Sequence, residues 1–462
     1  VIDLVKALVS KLPGPIDEWA RVVYDLIPPS MRYGKEYSAA RALLRESEAW
    51  GPSEFVEYQQ RLLRKLVRHC AANVPYYRDL FREHDIRPDD VTTVRELEKI
   101  PFLTKEIVRK RKDDLLATNI SARRRLTLRT SGSTGTPLEF AIDGATRAME
   151  RALAIRHLTW LGWKEGDVVA EIRAATFSDS RRIYRYFPSS RQLVFDFTAL
   201  DDDKLHRIVE TLETFRPKYI RALPWSVFLL ARWMERHNKT VHQVRYLITA
   251  SENLLPSMKE QVERVFKAPV IDHYGQNEQV AYAFQCACAA AYHVQREMSI
   301  VELVPTGDGR REIVGTCLHN YAMPFLRYRT GDLAAPRDEP CPCGRLGPAL
   351  SVINGREVDV IVTPEGRLVA PGPLDFAFYR LPEIKEAQIV QEDVSEIVVK
   401  VAAWDRLSEQ TRTALVKDLA ALLKSDRLKI RVVEVEETPR TAGGKKLFLV
   451  SHLKMDHYST GL

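Results

Sequence analysis

Between residue 126 and about residue 353 the chain alternates short apolar runs with longer amphipathic segments, and this alternation restricts its possible folds more than any other feature. The runs at 168–172, 218–222, 246–250 and 270–274 are short and mainly apolar, which reads as buried strand. Between them lie segments such as 203–215, whose apolar residues recur at the i, i+3, i+4 spacing of a one-faced helix. Strands buried on both faces and separated by helices make an α/β layer with buried, mainly parallel sheets.

The flanking regions read differently. Residues 1–120 are mainly helical, with amphipathic spacing at 54–72 and 93–98 interrupted by Pro75, Pro88 and Pro101. Past Gly355, strand-like runs at 358–363, 385–391, 397–402 and 430–435 surround one helix at 408–425. A chain of 462 residues exceeds what one hydrophobic core serves. The expected organisation is a helical segment, 1–120, belonging to a large domain; its α/β core, 121–355; and a small mobile α+β domain, 356–462, joined by a hinge.

With 45% hydrophobic and 28% charged residues the composition is that of a globular protein, and no apolar stretch approaches the ~20 residues that span a bilayer. Residues 1–13 carry Asp3, Lys6 and Lys11 and lack a small-residue cleavage site, so a cytoplasmic enzyme without a membrane partner is expected. The net charge of +7 is spread along the chain, densest at Arg123, Arg124 and Arg125. Zinc-finger spacing, an RNP-like aromatic strand and a basic helix are all absent from the sequence, which favours an anionic small ligand over nucleic acid.

Such a ligand has an obvious cradle. Thr130, Ser131, Gly132, Ser133, Thr134, Gly135 and Thr136, followed by Pro137, form a hydroxyl- and glycine-dense run between two alternating segments, 125–129 and 138–142. Without a Cβ at Gly132 and Gly135 the backbone can aim several N–H groups at one polyphosphate, and the hydroxyls add donors. The strand-loop-strand setting, without Gly-Lys-Ser/Thr or a following helix, excludes the Walker-type loop.

Four further segments follow in order. Tyr274-Gly275-Gln276-Asn277-Glu278 ends a buried strand, where α/β folds bind ligands. Arg327-Tyr328-Arg329-Thr330-Gly331-Asp332 offers a carboxylate in a tight turn, Gly355-Arg356-Glu357 sits at the composition shift, and Pro439-Arg440-Thr441-Ala442-Gly443-Gly444-Lys445 carries a lysine on a glycine-rich loop. Together these five resemble the adenylate-forming superfamily of acyl-CoA synthetases and peptide-synthetase adenylation domains, over nearly the whole chain. Asn73-Val74-Pro75-Tyr76-Tyr77, Pro101-Phe102-Leu103-Thr104-Lys105 and Cys341-Pro342-Cys343-Gly344-Arg345 are similar to its phenylacetate-CoA ligase-like branch.

The resemblance implies an AMP-forming ligase: a carboxylate attacks the α-phosphate of ATP to give acyl-adenylate and pyrophosphate, and the acyl group then passes to coenzyme A. Delivery to the phosphopantetheine of a carrier protein, or to an amine, is the alternative, and a non-catalytic nucleotide-binding relative is a further one. The 130–136 loop would hold the β and γ phosphates, Tyr274 would stack on adenine, and Asp272 would accept from its amine. Glu278 would hold Mg²⁺, Asp332 the ribose hydroxyls, and Arg356 ribose or phosphate. Lys445 would bridge the attacking carboxylate and the α-phosphate, favoured over Lys446 by its spacing from Pro439. Ser251, Glu252, His273, Gly275 and Asn277 complete the implied nucleotide pocket.

Two positions depart from the pattern: Asn277 replaces the usual Ser or Thr but retains an amide donor, and Val358 with Asp359 leaves the pivot undefined. The acid pocket is expected at Trp225, Phe228, Ala250, Ser251 and Phe177, whose aromatic rings favour an aryl or arylacetic acid. The acid's identity, the acceptor and whether the chain forms a homodimer stay open.

Six cysteines in a chain of this kind are not expected to pair as disulfides. Cys286, Cys288, His293, Cys341 and Cys343 supply five ligands for a tetrahedral structural zinc, which the resemblance also implies; which four bind is undecided. Cys70 and Cys317 read as core residues.

Overall fold

The computed structural model describes residues 29–130, 138–173, 182–197, 202–306, 311–356, 361–369, 374, 377, 378, 380–440 and 446–453. Helices α1 (Pro29–Glu46), α2 (Pro52–Asn73) and α3 (Pro75–Glu83) open this part of the chain. Pro52 begins α2, where its missing N–H costs nothing, and Glu54 accepts from the Gly51 N–H at 2.8 Å. Pro75 disfavours helix at the residue before it, so α2 stops at Asn73 and the chain turns into α3. Strands β1 (Arg125–Arg129) and β2 (Glu139–Asp143) form an antiparallel hairpin with Arg129 opposite Glu139. Asp143 caps the next helix, α4 (Gly144–Trp160), accepting from Thr146 N–H at 2.9 Å. Leu63 and Leu66 of α2 share one buried core with Phe140 of β2 and with Phe284, Phe325 and Tyr328. The N-terminal helices therefore bury their apolar faces against the body of the protein.

The main sheet comprises β3 (Val169–Arg173), β4 (Tyr184–Phe187), β5 (Gln192–Asp196), β6 (Tyr219–Ala222), β7 (Tyr246–Ala250), β8 (Val270–Gly275), β9 (Tyr282–Cys286), β10 (Ala289–Val294), β11 (Ser299–Pro305), β12 (Arg311–Cys317), β13 (Tyr328–Pro336) and β14 (Ala349–Arg356). Their spatial order is β11-β12-β13-β14-β10-β9-β8-β7-β6-β3-β5-β4. The run β5-β3-β6-β7-β8 is parallel, its chain crossings carrying helices α5 (Asp202–Phe215), α6 (Pro224–Arg236) and α7 (Pro256–Phe266). These are the strands recognisable as short apolar runs. Beyond β8 the pairing turns antiparallel, because β8, β9 and β10 are joined by segments too short for a crossover helix. The expectation of mainly parallel strands thus holds for this central run and gives way to antiparallel pairing on one side and at β4.

The C-terminal part builds its own core. Short strands β15 (Ile361–Val362) and β16 (Leu368–Val369) pair, and β17 (Ile384–Asp393), β18 (Glu396–Ala403), β19 (Lys429–Glu434) and β20 (Leu449–Ser451) form a sheet in the order β19-β18-β17-β20. Helix α8 (Glu409–Leu423), capped by Ser408 on the Thr411 N–H at 3.1 Å, lays Leu415, Leu419 and Leu423 against Ile389 and Val399. Val358 and Asp359, the undefined pivot, lie outside the described residues. No described helix is long and apolar enough to cross a membrane.

Candidate active site

Strands β7 and β8 are parallel neighbours, and their carboxyl ends deliver the residues expected to meet a nucleotide. At the end of β8 the Tyr274 hydroxyl donates to Asp332 Oδ2 at 2.8 Å, and Gln276 Nε2 donates to the same oxygen at 3.0 Å while also touching the Tyr274 hydroxyl. Burial, reinforced by the Asp332 charge, holds the Tyr274 phenol well above its usual range, so the hydroxyl stays a donor. Between them Gly275 is obligatory: a Cβ there would stand 2.7 Å from the Tyr282 ring. Asp332 is set in β13 by its own N–H, donated to Thr330 Oγ1 at 3.0 Å, after Gly331 takes φ 76°. Across the sheet its register partner is Arg356, the last residue of β14. Gln276, part of the motif that ends β8, thereby shares an acceptor with Tyr274, a contact its sequence position does not signal.

Strand alternation sorts the remaining β8 residues. Asp272 is buried, with Thr249 donating to one oxygen at 2.6 Å and Tyr292 to the other at 2.8 Å; burial raises its pKa. Each oxygen thus accepts a hydrogen bond inside the sheet, which anchors Asp272 between β7 and β10. His273 points to the opposite face, its ring 4.2 Å from Phe284 and 5.5 Å from His157. Burial drives its pKa far down and leaves it neutral, a member of an aromatic cluster. Glu278, buried in the turn after β8, accepts from the Tyr328 hydroxyl at 3.2 Å, whereas Asn277 is exposed.

Thr130 closes the β1–β2 hairpin: its N–H donates to the Leu138 carbonyl and its Oγ1 accepts from the Leu138 N–H, both at 2.9 Å. Ser131, Gly132, Ser133, Thr134, Gly135, Thr136, Lys445 and Phe177 lie outside the described residues. Beside β7, Ser251 is exposed with φ 75°, and Glu252 accepts from the Trp225 N–H at 3.4 Å and the Lys446 N–H at 3.3 Å. Trp225 and Phe228, on the first turns of α6, are buried with ring centroids 6.1 Å apart. Lys446 places its ammonium 4.4 Å from the centre of the Trp225 ring.

A second cluster lies at the β9–β10 hairpin. Cys286, His293, Cys341 and Cys343 present ligand atoms all within 4.8 Å of one another. Cys286 and Cys341 sulfurs are 3.5 Å apart, and Cys343 Sγ lies 3.3 Å from His293 Nε2. Zn–S bonds of about 2.3 Å in a tetrahedron separate the sulfurs by roughly 3.8 Å, so the set suits a closed site for a soft or borderline ion. The fifth candidate, Cys288, is excluded: β9 ends at Cys286, and Cys288 sits exposed in the two-residue turn before β10.

The architecture is that of the adenylate-forming ligases. Residues 361–452 match the CapK C-terminal domain model. The chain is 21% identical to Protein CapK of Staphylococcus aureus, over 92% of this chain and 94% of that one. It is 24% identical to a phenylacetate-coenzyme A ligase of Thermus thermophilus, over 84% and 94%. Among solved structures, 2-hydroxyisobutyryl-CoA ligase in the postadenylation state superposes with a TM-score of 0.66 at 20% identity, covering 88% of this chain and 91% of that one. Its relatives are thus phenylacetate-CoA ligases and CapK, the branch its motifs resemble.

Proposed function

We propose that this protein is an ATP-dependent ligase that converts a carboxylic acid to its acyl-adenylate and transfers the acyl group to coenzyme A. The observation that carries the reading is the Tyr274–Gln276–Asp332 cluster at the mouth of the parallel strands. It provides a flat ring and a carboxylate acceptor side by side, which suits an adenosine. In the first step a carboxylate oxygen of the acid bonds to the α-phosphorus and the bond to the pyrophosphate oxygen breaks. Asp332 would accept from the ribose hydroxyls, exchanging Gln276 for substrate donors. Ser131 to Thr136 and Lys445 would neutralise phosphate charge on either side. Glu278 offers the hard oxygen donor that Mg²⁺ takes beside phosphate oxygens, where the ion would offset the charge of the leaving pyrophosphate. In the second step the thiol sulfur attacks the acyl carbon, AMP leaves, and the thiol proton passes to solvent or phosphate.

An aryl or arylacetic acid is the preferred substrate class, supported by the Trp225 and Phe228 rings and by the names of the phenylacetate-CoA ligase relatives. Four clustered ligands fit a structural zinc ion, and free cysteines throughout the described chain fit a reducing compartment such as the cytoplasm. Transfer to a carrier protein or an amine is the second reading of the acceptor.

Exchange of labelled pyrophosphate into ATP across a panel of aryl and arylacetic acids tests the proposal. Exchange with at least one acid is expected; none with any acid counts decisively against an adenylating enzyme. Mass analysis of products formed with coenzyme A, a carrier protein or amines then identifies the acceptor.

A further inference from the structure

Glu312 of β12 is a buried carboxylate, its side chain 6% exposed, and both its oxygens are spent on the segment that carries Asp332. Its Oε1 accepts from the Gly331 N–H at 2.9 Å, and its Oε2 accepts from Arg329 Nε at 2.7 Å and also from Arg329 Nη2. Strand pairing is interrupted at this point. Glu312 lies opposite Leu333 and Val314 opposite Arg329, so Ile313 alone faces Thr330, Gly331 and Asp332. Extra residues on one strand make a bulge, a device that re-aims a side chain out of the ladder. Inside it Gly331 takes φ 76°, and the Thr330 hydroxyl donates to the Ile313 carbonyl at 2.7 Å while accepting from the Asp332 N–H. Where the bulge begins, the Arg329 N–H donates to the Leu103 carbonyl at 2.9 Å. Where it ends, the Asp332 carboxylate meets Tyr274 and Gln276.

Packing does not explain this residue. A strand position needed only for the core would be apolar, because a buried carboxylate loses hydration that a valine never had. An ion pair kept for stability would not be built on Arg329, which is 45% exposed and therefore screened by water. The Gly331 N–H is the telling partner: the bulge withdraws this backbone donor from the ladder, and the Glu312 carboxylate takes it up. We infer that Glu312 is a positioning residue, which holds the bulge at Gly331 and so aims Asp332 at the ribose hydroxyls of the nucleotide. Arg329 orients the Glu312 carboxylate from its other oxygen. The ribose in this inference rests on the ligase reading of the site, whereas the grip on the bulge does not.

The test has two arms on the full-length protein. Calorimetry without any acid compares ATP with 2′,3′-dideoxy-ATP, which lacks the hydroxyls that Asp332 would accept from. Wild type is expected to prefer ATP by about thirtyfold. In Glu312→Ala the preference should fall to about threefold, with affinity for the dideoxy nucleotide within about twofold of wild type. Equal losses for both nucleotides mark a merely structural residue and overturn the assignment, as does an unchanged preference. Should Glu312→Ala fail to fold by circular dichroism, the isosteric Glu312→Gln decides by the same ratio: one neutral acceptor oxygen then serves two donors, and the preference should fall about threefold. In the second arm, hydrogen exchange read by mass spectrometry needs no nucleotide. Amides 274–276, which meet the bulge through Asp332, are expected to exchange about fivefold faster in the folded variant, together with 329–333. Faster exchange confined to 329–333 overturns the inference, because the grip then does not reach the site. If wild type binds neither nucleotide, or both alike, the ribose reading of Asp332 fails, and the second arm still decides whether Glu312 sets that carboxylate.

Discussion

The Tyr274 hydroxyl and the Asp332 carboxylate, 58 residues apart in sequence, are joined by a 2.8 Å hydrogen bond that ties the end of β8 to β13. It fixes the plane of the ring proposed for adenine with the group proposed for ribose. Tyr274→Phe keeps the ring and loses the tether, so KM for ATP should rise by about tenfold, in line with ~1.5 kcal/mol for a hydrogen bond to a charged group. Asp332→Asn removes the charged acceptor and should cost about a hundredfold in kcat/KM. Exchange kinetics at varied ATP check both; an Asp332→Asn enzyme with unaltered kcat/KM would place ribose elsewhere.

Glu278 can be separated from its structural contact by a conservative change. In Glu278→Gln the amide oxygen still accepts from Tyr328, so folding should be retained. The exchange rate should nevertheless fall about a hundredfold or more, with a higher Mg²⁺ requirement, because a neutral amide is a poorer partner for a hard dication. Mg²⁺ titrations of exchange, with circular dichroism as the folding control, distinguish lost ion binding from lost structure.

The sequence revealed local elements better than long-range partnerships. Tyr246–Ala250 is bounded as expected because a short, mainly apolar run between helices has few alternatives. The antiparallel pairing of β9 to β14 was not legible, since it depends on how the chain returns and not on the composition of each strand. The hydroxyls that bond Asp272 were not legible because Thr249 and Tyr292 are 23 and 20 residues away on other strands. The buried pair of Lys446 and Glu386 was hidden for the same reason: Glu386 reaches the lysine from 60 positions earlier, a pairing set by β17 and invisible to spacing.

The cysteine cluster yields a stoichiometric prediction. Protein purified without chelators should hold one zinc ion per chain by elemental analysis, as a closed four-ligand site does. Cys288→Ser should keep it, because that thiol lies outside the cluster, while Cys286→Ser or Cys341→Ser should lose it and lower Tm by several degrees. Zinc well below stoichiometry in the wild-type protein would remove the ion from this account.

Acid stability should be governed partly by His157. Its ring stacks on Phe284 at 4.6 Å and its Nε2–H donates to the Gln285 carbonyl at 3.0 Å. Burial pushes its pKa down to about 3. In the unfolded chain it protonates near 6.5, so between these values the unfolded state binds the extra proton. The resulting stability is complete above about pH 6.5 and is lost as pH falls toward 3, by about 2 kcal/mol at pH 5. Urea unfolding at pH 7 and pH 5 measures this, and His157→Phe, which keeps the stack without the titrating group, should show a smaller difference between the two.

Gly275 offers the sharpest test of whether backbone geometry sets the site. An added Cβ would lie 2.7 Å from Cε1 and 2.8 Å from Cδ1 of Tyr282, a ring held in the core with Phe284 and Val280. A planar ring packed on both sides cannot yield as a flexible chain end does, so β8 must move instead. Gly275→Ala should therefore cost about 1–3 kcal/mol in stability, the usual range for overpacking. Its larger effect should be on function: Tyr274 and Gln276 flank the displaced residue, and both converge on one oxygen of Asp332. KM for ATP is expected to rise more than in Tyr274→Phe, because the ring is shifted as well as untethered. Comparing the two variants in the same exchange assay decides the point; an alanine enzyme with wild-type KM would mean that the β8 end is not where the nucleotide binds.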